Sequence, residues 1–279
     1  MAEQSPTTRL RPEPTRLAEV LGAFSLAADL TLGLPAEHGV RSCYIGMRLA
    51  EEIEVSPEER ADLYYAQLVK DSGCTCSSSQ IASLIAGDEM AAVAELLSRD
   101  PSDELAMFGW IVRHVAAGAP FATRAKQVLD FLIHSREFER DGAAGECEVA
   151  QRMAYRLGLS EGVQVTLASC LERWDGKCMP RGLRQGAIPL ISRIMHVAGV
   201  TEVFHRIGGP GAAKDVALAR KGKAFDPQIV EAFLSVATST SFWEGLEQES
   251  LWETVLALEP ESRERYLSEA QLENVARAR

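Results

Sequence analysis

The chain has 279 residues and a net charge of −11, and 46% of its residues are hydrophobic. This composition is typical of a globular protein and excludes a chain dominated by disorder. Nucleic-acid backbones are bound by clustered Lys and Arg, so the acidic balance argues against direct nucleic-acid binding. No apolar run reaches the roughly 18 residues of a membrane span. Residues 1–16 are polar and lack the apolar core of a signal peptide, so we expect a cytoplasmic protein.

Six cysteines in a chain of this length, without a secretory signal, favour reduced thiols over a disulfide framework. Cys74 and Cys76 are too close together for a zinc knuckle, and no second cysteine pair with zinc-site spacing follows. Structural zinc is therefore not expected.

Apolar residues recur at helical intervals in the first part of the chain. Their spacing predicts helices over residues 17–27 and 37–54. Ser56 and Pro57 then form a helix start, because a capping residue is followed by a proline at the first helical position and by a glutamate three residues after the cap. We expect this third helix to end at residues 71–73.

The middle of the chain shows the same helical spacing. Residues 89–98 and 102–117 are predicted to be helices. The second carries an apolar stripe that consists of Leu105, Phe108, Ile111, Val112 and Val115. A glycine-rich segment at 141–145 predicts a break before the next helix.

The rest of the chain also favours helices, and no segment shows the alternation of a strand. The further helices are predicted from Ser160 and over residues 188–204, 212–220, 226–237 and 267–279. The fold class is therefore predicted to be all-α. We divide the chain into a flexible tail (1–16), a main domain (17–237) and an acidic helical extension (238–279) that is a possible linker to a further domain.

The most specific motif lies in residues 172–194. It reads Glu-Arg-Trp-Asp-Gly-Lys-Cys-Met-Pro-Arg-Gly-Leu at 172–183, followed by Ala-Ile-Pro-Leu-Ile-Ser-Arg-Ile at 187–194. This run resembles the signature of HD-GYP phosphodiesterases. The resemblance implies a multi-helix bundle of the HD-domain type over residues 17–237.

HD-GYP proteins use His and Asp side chains to hold two or three iron or manganese ions against cyclic di-GMP. Such ions lower the pKa of a bridging water and clamp a phosphoryl group. The resemblance aligns His38 with the first metal-binding histidine of the family. It aligns Asp71 with the aspartate of the His-Asp doublet that names the family.

Three of the family's positions before the motif carry other residues in this chain. Lys70 takes the place of the histidine in the doublet, and a lysine offers no lone pair unless it is deprotonated. Cys74 replaces the lysine that often follows the doublet. Glu146 or Cys147 stands where a histidine is expected to open a helix.

The motif itself also carries substitutions relative to the family. Cys170 and Leu171 replace two consecutive histidines that precede the Glu-Arg-Trp-Asp-Gly segment, and Gly199 replaces a later aspartate. The Gly-Tyr-Pro tripeptide is altered to Cys-Met-Pro at 178–180. By this comparison, few electron-pair donors remain for a pair of metal ions.

Two interpretations of this centre stay open. In one, His38, Asp71 and Glu146 hold a single divalent ion (iron, manganese or zinc), because one imidazole and two carboxylates form a facial set found in mononuclear sites. In the other, no cofactor is expected, and the ammonium group of Lys70 replaces the metal charge beside Asp71.

We take the residues around this centre as candidates for a ligand pocket. They are His38, Lys70, Asp71, Cys74, Glu146, Cys170, Arg173, Asp175, Lys177 and His196. Asp175 is expected to pair with an arginine and to pin the motif loop. A thiol-based redox sensor is an alternative to buried structural cysteines at this site.

These observations predict a catalytically inactive HD-GYP-like regulatory domain that senses a small ligand or mediates homodimerisation in a bacterial signalling or transcription regulator. Domains resembling it occur in front of an intact HD-GYP domain or a LuxR-type helix-turn-helix. Two alternatives stay open. One is an active metal-dependent phosphodiesterase that acts on cyclic di-GMP or a related phosphodiester, and the other is a purely structural homodimerisation module.

Overall fold

A computed structural model of the chain describes residues 15–32, 36–73, 92, 95–96, 98–100, 103–178, 180–261 and 264–267. The α-helices with described bounds are α1 (Leu17–Leu32), α2 (His38–Glu52), α3 (Pro57–Val69), α4 (Glu104–His114), α5 (Phe121–Arg156), α6 (Glu161–Leu167), α7 (Leu190–Arg220), α8 (Pro227–Val236), α9 (Thr240–Glu247) and α10 (Leu251–Ala257). Short 3-10 turns span Lys70–Ser72 and Gln185–Ala187. The all-α fold class predicted from the sequence is confirmed.

Helix α2 lies at the centre of the bundle, where it packs against α1, α3 and α7. Most of its 15 residues are buried, including polar ones such as His38 and Ser42. A helix buried on nearly every face is expected when neighbours surround it. The polar groups that α2 carries into the interior therefore need partners from the surrounding helices.

The predicted start of α3 is confirmed in detail. The Ser56 hydroxyl oxygen accepts a hydrogen bond from the backbone N–H of Glu59 at 3.3 Å. The same hydroxyl donates to the Glu59 carboxylate at 2.7 Å. This reciprocal cap fixes the point at which α3 begins, and the helix then runs into the 3-10 turn that carries Asp71.

Helix α5 runs unbroken through residues 141–145, so the predicted break there is wrong. A glycine costs about 1 kcal/mol relative to alanine in a helix, which neighbouring packing can offset. Beyond the glycines, Cys147, Ala150 and Ala154 are buried in the main core. This contact with the core keeps the segment helical.

A short β-ribbon was missed by the sequence analysis. Strand β1 (Thr15–Arg16) pairs antiparallel with β2 (Tyr266–Leu267). The first pair of residues was predicted to lie in a flexible tail, and Leu267 was predicted to begin a helix. Two-residue strands are too short to show alternation. Residues 268–279, and most of the helix predicted over 89–98, lie outside the described residues.

The apolar stripe of α4 is split between two environments. Ile111 and Val115 pack with Trp110 in a small second core. Leu105, Phe108 and Val112 are exposed, Leu105 by 82%. The sequence pattern predicted the helix, and it did not show which part of the stripe is buried.

Helix α7 bends sharply where the sequence places two glycines before Pro210. Gly209 has a φ of 68°, a left-handed conformation that favours glycine. The second half of α7 folds back, so that the guanidinium of Arg220 lies over the ring of Phe204 at 5.4 Å from its centroid. Helix α8 then begins after Asp226, whose carboxylate accepts from the Gln228 N–H at 2.9 Å, as the predicted cap requires.

The last described helices share the main core with the first. Leu246, Leu251 and Val255 belong to the same buried cluster as Leu17 and Tyr64. The division of the chain at residue 238 stays a prediction. Within the described ranges, no helix is both long and apolar enough to cross a bilayer.

Candidate functional site

The structure buries the two residues that the resemblance aligned with metal ligands. His38 is the first residue of α2, and Asp71 lies in the 3-10 turn after α3. They are 4% and 3% exposed. The ammonium group of Lys70 donates to one carboxylate oxygen of Asp71. The sequence analysis expected this ion pair.

A buried glutamate, Glu202 of α7, joins His38 to the centre of the bundle. Its Oε2 atom lies 2.5 Å from Nδ1 of His38. Its Oε1 atom accepts from Nε of Arg41 at 2.8 Å and from Nε of Arg206. Burial alone would raise the pKa of Glu202, but the hydrogen bond from His38 and the charge of Arg206 outweigh it and lower the pKa to about 2. Glu202 is therefore a carboxylate at neutral pH.

Glu202 was not predicted from the sequence. An acidic ligand was expected at position 199, and Glu202 lies about one helical turn later. An acidic residue inside an otherwise apolar helix segment was the available signal.

A second carboxylate that was not predicted, that of Asp29 in α1, lies near enough to Asp71 to feel its charge. Asp29 is fully buried, and neither of its oxygens has a hydrogen-bond partner. The Gly39 N–H is close enough to lower the pKa of Asp29, but it does not lie in hydrogen-bonding geometry. Burial and the charge of Asp71 outweigh this effect and raise the pKa of Asp29 to about 6.

Gly39 leaves the space in which these polar groups meet. A Cβ atom at Gly39 would lie 2.0 Å from the Ser25 hydroxyl oxygen and 3.5 Å from Oδ2 of Asp71. Both oxygens are buried and lack hydrogen-bond partners. The glycine therefore allows α1, α2 and the 3-10 turn to approach closely around unpaired oxygens.

The described residues do not fit the paired-metal centre that the resemblance implies. Asp29 and Asp71 do present unpaired carboxylate oxygens. However, Nδ1 of His38 is bound to Glu202, and Lys70 lies on Asp71. Across the described part of the chain, no group of three His, Cys, Asp or Glu side chains is arranged to hold a metal ion. The single-ion set of His38, Asp71 and Glu146 stays a prediction without such a group to support it.

Helix α5 approaches the 3-10 turn closely at Glu146. A Cβ atom at Gly73 would lie 2.1 Å from the Glu146 carbonyl oxygen. The backbone at Glu146 is therefore adjacent to the turn that carries Lys70 and Asp71.

Two of the cysteines that the sequence analysis placed near the site meet in the structure. Cys147 and Cys170 are both buried. A hydrogen bond with Cys170 is the main influence on Cys147 and lowers the pKa of its thiol. Cys43 lies against α3, with Sγ 3.9 Å from the Tyr64 carbonyl oxygen. Cys74 lies outside the described residues.

The predicted pinning of the motif loop by Asp175 is confirmed. Arg173 is buried and donates two hydrogen bonds to the Asp175 carboxylate, at 3.1 and 3.0 Å. It donates a third to Asp100 at 2.7 Å. The Lys177 backbone N–H also donates to Asp175, at 3.1 Å, while Lys177 itself is exposed. Arg173 and Asp175 thus hold the loop closed.

The buried carboxylate of Glu172 supports the other side of this loop. It accepts hydrogen bonds from the backbone N–H groups of Arg181 and Leu183, both at 2.9 Å. Burial is the largest influence on Glu172 and raises the pKa of its carboxyl. The loop is therefore shaped by charged groups that belong to the motif.

His196 of α7 lies beside this loop and is partly buried. Its Nδ1 atom is 3.0 Å from the Glu172 carbonyl oxygen, and its ring meets Phe225 edge-on at 5.4 Å. Burial, together with the charges of Arg173 and Arg220, lowers the pKa of His196 to about 4. The ring is therefore neutral at pH 7, and its Nδ1 carries the proton donated to the carbonyl.

The helical bundle and its buried His-Asp centre define an all-α fold of the HD-domain type, and solved structures bear this out. The crystal structure of the cyclic GMP-AMP specific phosphodiesterase V-cGAP3 of Vibrio cholerae matches the chain with a TM-score of 0.73 and 27% sequence identity. The match covers 95% of this chain and 59% of that chain. The predicted HD-like bundle is therefore confirmed.

Curated sequences show the same likeness. The chain is 29% identical over 262 residues to 3'3'-cGAMP-specific phosphodiesterase 3 of Vibrio cholerae serotype O1, across 94% of this chain and 57% of the relative. It is 41% identical over 71 residues to a cyclic di-GMP phosphodiesterase of the same organism, across 23% of this chain and 14% of that relative. No family model matches the chain. The likeness supports a relation to HD-domain phosphohydrolases.

These findings contradict the main functional prediction. The proteins that match nearly the whole chain are phosphodiesterases. They favour the alternative of an active phosphodiesterase over a catalytically inactive regulatory domain. The prediction of an inactive domain rested on the donors at the family's positions. The carboxylates of Asp29 and Glu202 lie elsewhere in the sequence and contribute to the same centre.

We expect Asp29→Asn to stabilise the protein at pH 8. The pKa of Asp29 is raised from 3.8 to about 6, so the folded state favours the protonated carboxyl, and this stabilisation is lost as the pH rises through 6. At about 1.4 kcal/mol per pKa unit, the variant should gain about 1–3 kcal/mol in free energy of unfolding at pH 8 and little at pH 4. Urea unfolding in EDTA measures both values.

The exposed Asp130 supplies the control for this prediction. Its side chain is 74% exposed, so Asp130→Asn should change stability by less than about 0.5 kcal/mol at either pH. An Asp29→Asn variant that is less stable than the wild type at pH 8 would contradict the prediction.

We expect Glu202→Gln to destabilise the protein at pH 7 by about 2–4 kcal/mol, because it leaves the guanidinium groups of Arg41 and Arg206 without their buried carboxylate. The pKa of Glu202 is lowered from 4.5 to about 2. Its contribution is therefore complete above pH 4.5 and is lost as the pH falls toward 2, so the difference between variant and wild type should narrow in that window. Urea unfolding from pH 7 downward measures this difference in free energy of unfolding.

Glu148→Gln is the control, because Glu148 forms an exposed pair with Arg152. It should lower the free energy of unfolding by no more than about 0.5 kcal/mol. Equal losses for the two variants would refute the role given to Glu202.

Proposed function

We propose that this chain is a helical domain of a phosphodiesterase that acts on a cyclic dinucleotide of the 3'3'-cGAMP or cyclic di-GMP class. The observation that supports this proposal most is the V-cGAP3 match, which covers 95% of the chain. The chain spans 57% of the curated relative that it matches. The activity is therefore proposed for the whole protein, and the chain is proposed to contribute to its active site.

The charges around the motif loop support the proposal. A cyclic dinucleotide carries two phosphodiester anions, and a cleft lined by positive charge concentrates anions locally. The pKa of His196 is lowered by the positive charges of Lys70, Arg173 and Arg220. The Lys70 ammonium group, which Asp71 orients, provides electrostatic binding for a phosphodiester.

Hydrolysis assays test the proposal directly. We expect the 279-residue chain, or the whole protein where it is longer, to convert 3'3'-cGAMP or cyclic di-GMP to a linear dinucleotide. Parallel reactions contain manganese, iron(II) or EDTA. Asp71→Asn should lower the rate at least tenfold, since the Lys70 ammonium group loses its partner beside the substrate. The exposed variant Glu148→Gln should retain the wild-type rate.

Two results would overturn parts of this proposal. A wild-type protein that hydrolyses neither dinucleotide under any metal condition would refute the function. Wild-type rates in both Asp71→Asn and His38→Ala, with circular dichroism showing a folded protein, would place the reaction outside the site described above.

We also propose that the chain forms a homodimer through α4. Leu105, Phe108 and Val112 lie three and four residues apart, which puts them on one helix face, and all three are exposed. Contiguous exposed apolar residues are typical of interaction sites. The cytoplasmic location and a downstream HD-GYP or DNA-binding domain stay predictions.

Light scattering coupled to gel filtration tests the homodimer. We expect twice the chain mass for the wild type and the mass of a monomer for Phe108→Glu, because a buried unpaired charge opposes the contact. Ile207→Glu alters an exposed apolar residue of α7 and should leave the dimer intact. A wild-type monomer at every concentration, or a dimeric Phe108→Glu, would refute the proposal.

A further inference from the structure

Arg220, the last residue of α7, is a buried cation that the interactions above leave unused. It is 7% exposed, and its guanidinium lies over the ring of Phe204 at 5.4 Å. Among the described residues, this guanidinium takes part in no ion pair and no hydrogen bond. A buried charge without a hydrogen-bonded counter-charge is unfavourable, so the position favours an anion from outside the chain.

The motif loop holds a second arginine close to Arg220. The Trp174 N–H donates to the Ala224 carbonyl oxygen at 3.0 Å, and the Asp175 N–H donates to the Lys223 carbonyl oxygen at 2.8 Å. These two bonds dock the loop onto the turn that follows Arg220. Arg173, beside Trp174 in the loop, is thereby brought near Arg220.

The carboxylates in this region are already engaged by Arg173. Asp175 accepts two of its hydrogen bonds, and Asp100 accepts another at 2.7 Å. Burial is the largest influence on Arg220 and lowers the pKa of its guanidinium, while Asp100 opposes this change and Arg173 adds to it. The nearby carboxylate of Asp100 therefore compensates Arg220 only in part.

We propose that Arg220 forms an anion site for the phosphate group of a nucleotide, at the place where the motif loop meets the end of α7. A guanidinium presents paired N–H donors that match two phosphate oxygens, and Arg173 contributes positive charge beside it. Only the identification of the nucleotide as a cyclic dinucleotide rests on the proposed function. The anion site itself follows from the unused guanidinium and its neighbours.

Inorganic phosphate is the probe for this site. We expect phosphate to raise the thermal midpoint of the wild-type protein relative to sodium chloride at equal ionic strength, because a ligand that binds the folded state stabilises it. Isothermal titration calorimetry should then show at least tenfold weaker phosphate binding for Arg220→Met. Arg152→Met, at an exposed position on α5, should bind phosphate like the wild type.

Arg220→Lys keeps the experiment informative if the methionine variant does not fold. It retains the charge but loses the paired donors, so phosphate affinity should fall at least threefold. Equal phosphate binding by wild type and either folded Arg220 variant, or no phosphate effect on the wild type beyond that of chloride, would overturn the inference.

Binding and hydrolysis separate this inference from the proposed function. Phosphate binding that depends on Arg220, in a protein that hydrolyses no cyclic dinucleotide, would support the anion site and refute the function. If the protein hydrolyses 3'3'-cGAMP but binds phosphate equally well with and without Arg220, the proposed function is supported and the anion site is refuted.

Discussion

The carboxylate of Glu202 is the interaction on which the centre of this bundle depends. It is fully buried and joins α7 to α2 through His38 and Arg41. A buried charge is tolerated only when hydrogen bonds and counter-charges replace its water, and Arg206 adds the remaining donor. Because Nδ1 of His38 is taken by Glu202, only the other ring nitrogen is left for a ligand. The same contact that fixes α2 thus also limits what the site can bind.

Two acidic residues in this centre titrate in opposite directions because their surroundings differ. Glu202 has three donors and its pKa falls to about 2, whereas Asp29 has no hydrogen bond, lies near another carboxylate and has a pKa of about 6. Asp71 has an intermediate number of hydrogen bonds, because Lys70 donates to one of its oxygens and the other oxygen has no partner. Neighbouring charges and hydrogen bonds, and not burial alone, therefore decide which carboxyl remains charged at neutral pH.

Local features of the fold were predictable from the sequence, and long-range contacts were not. The Ser56 cap and the Arg173–Asp175 pair connect residues three and two positions apart, so spacing and side-chain chemistry suffice. The contact between His38 and Glu202 spans 164 positions, and no local pattern marks it. Helix α5 is continuous through its glycines for a similar reason, because packing against a part of the core distant in sequence keeps the segment helical. His38, Lys70 and Asp71 were therefore predicted from the sequence, whereas Asp29 and Glu202 were not.

The functional prediction failed because substitutions were interpreted one position at a time. Lysine at position 70 removes a lone pair, but it also places an ammonium group beside Asp71 in a region that already contains Arg173 and Arg220. The chain has a net charge of −11, which on the whole opposes anion binding, so a local group of cations is needed to attract a phosphodiester. The exchange of a donor for a cation at position 70 therefore agrees with the proposed binding of a phosphodiester, and the relatives that match nearly the whole chain are phosphodiesterases.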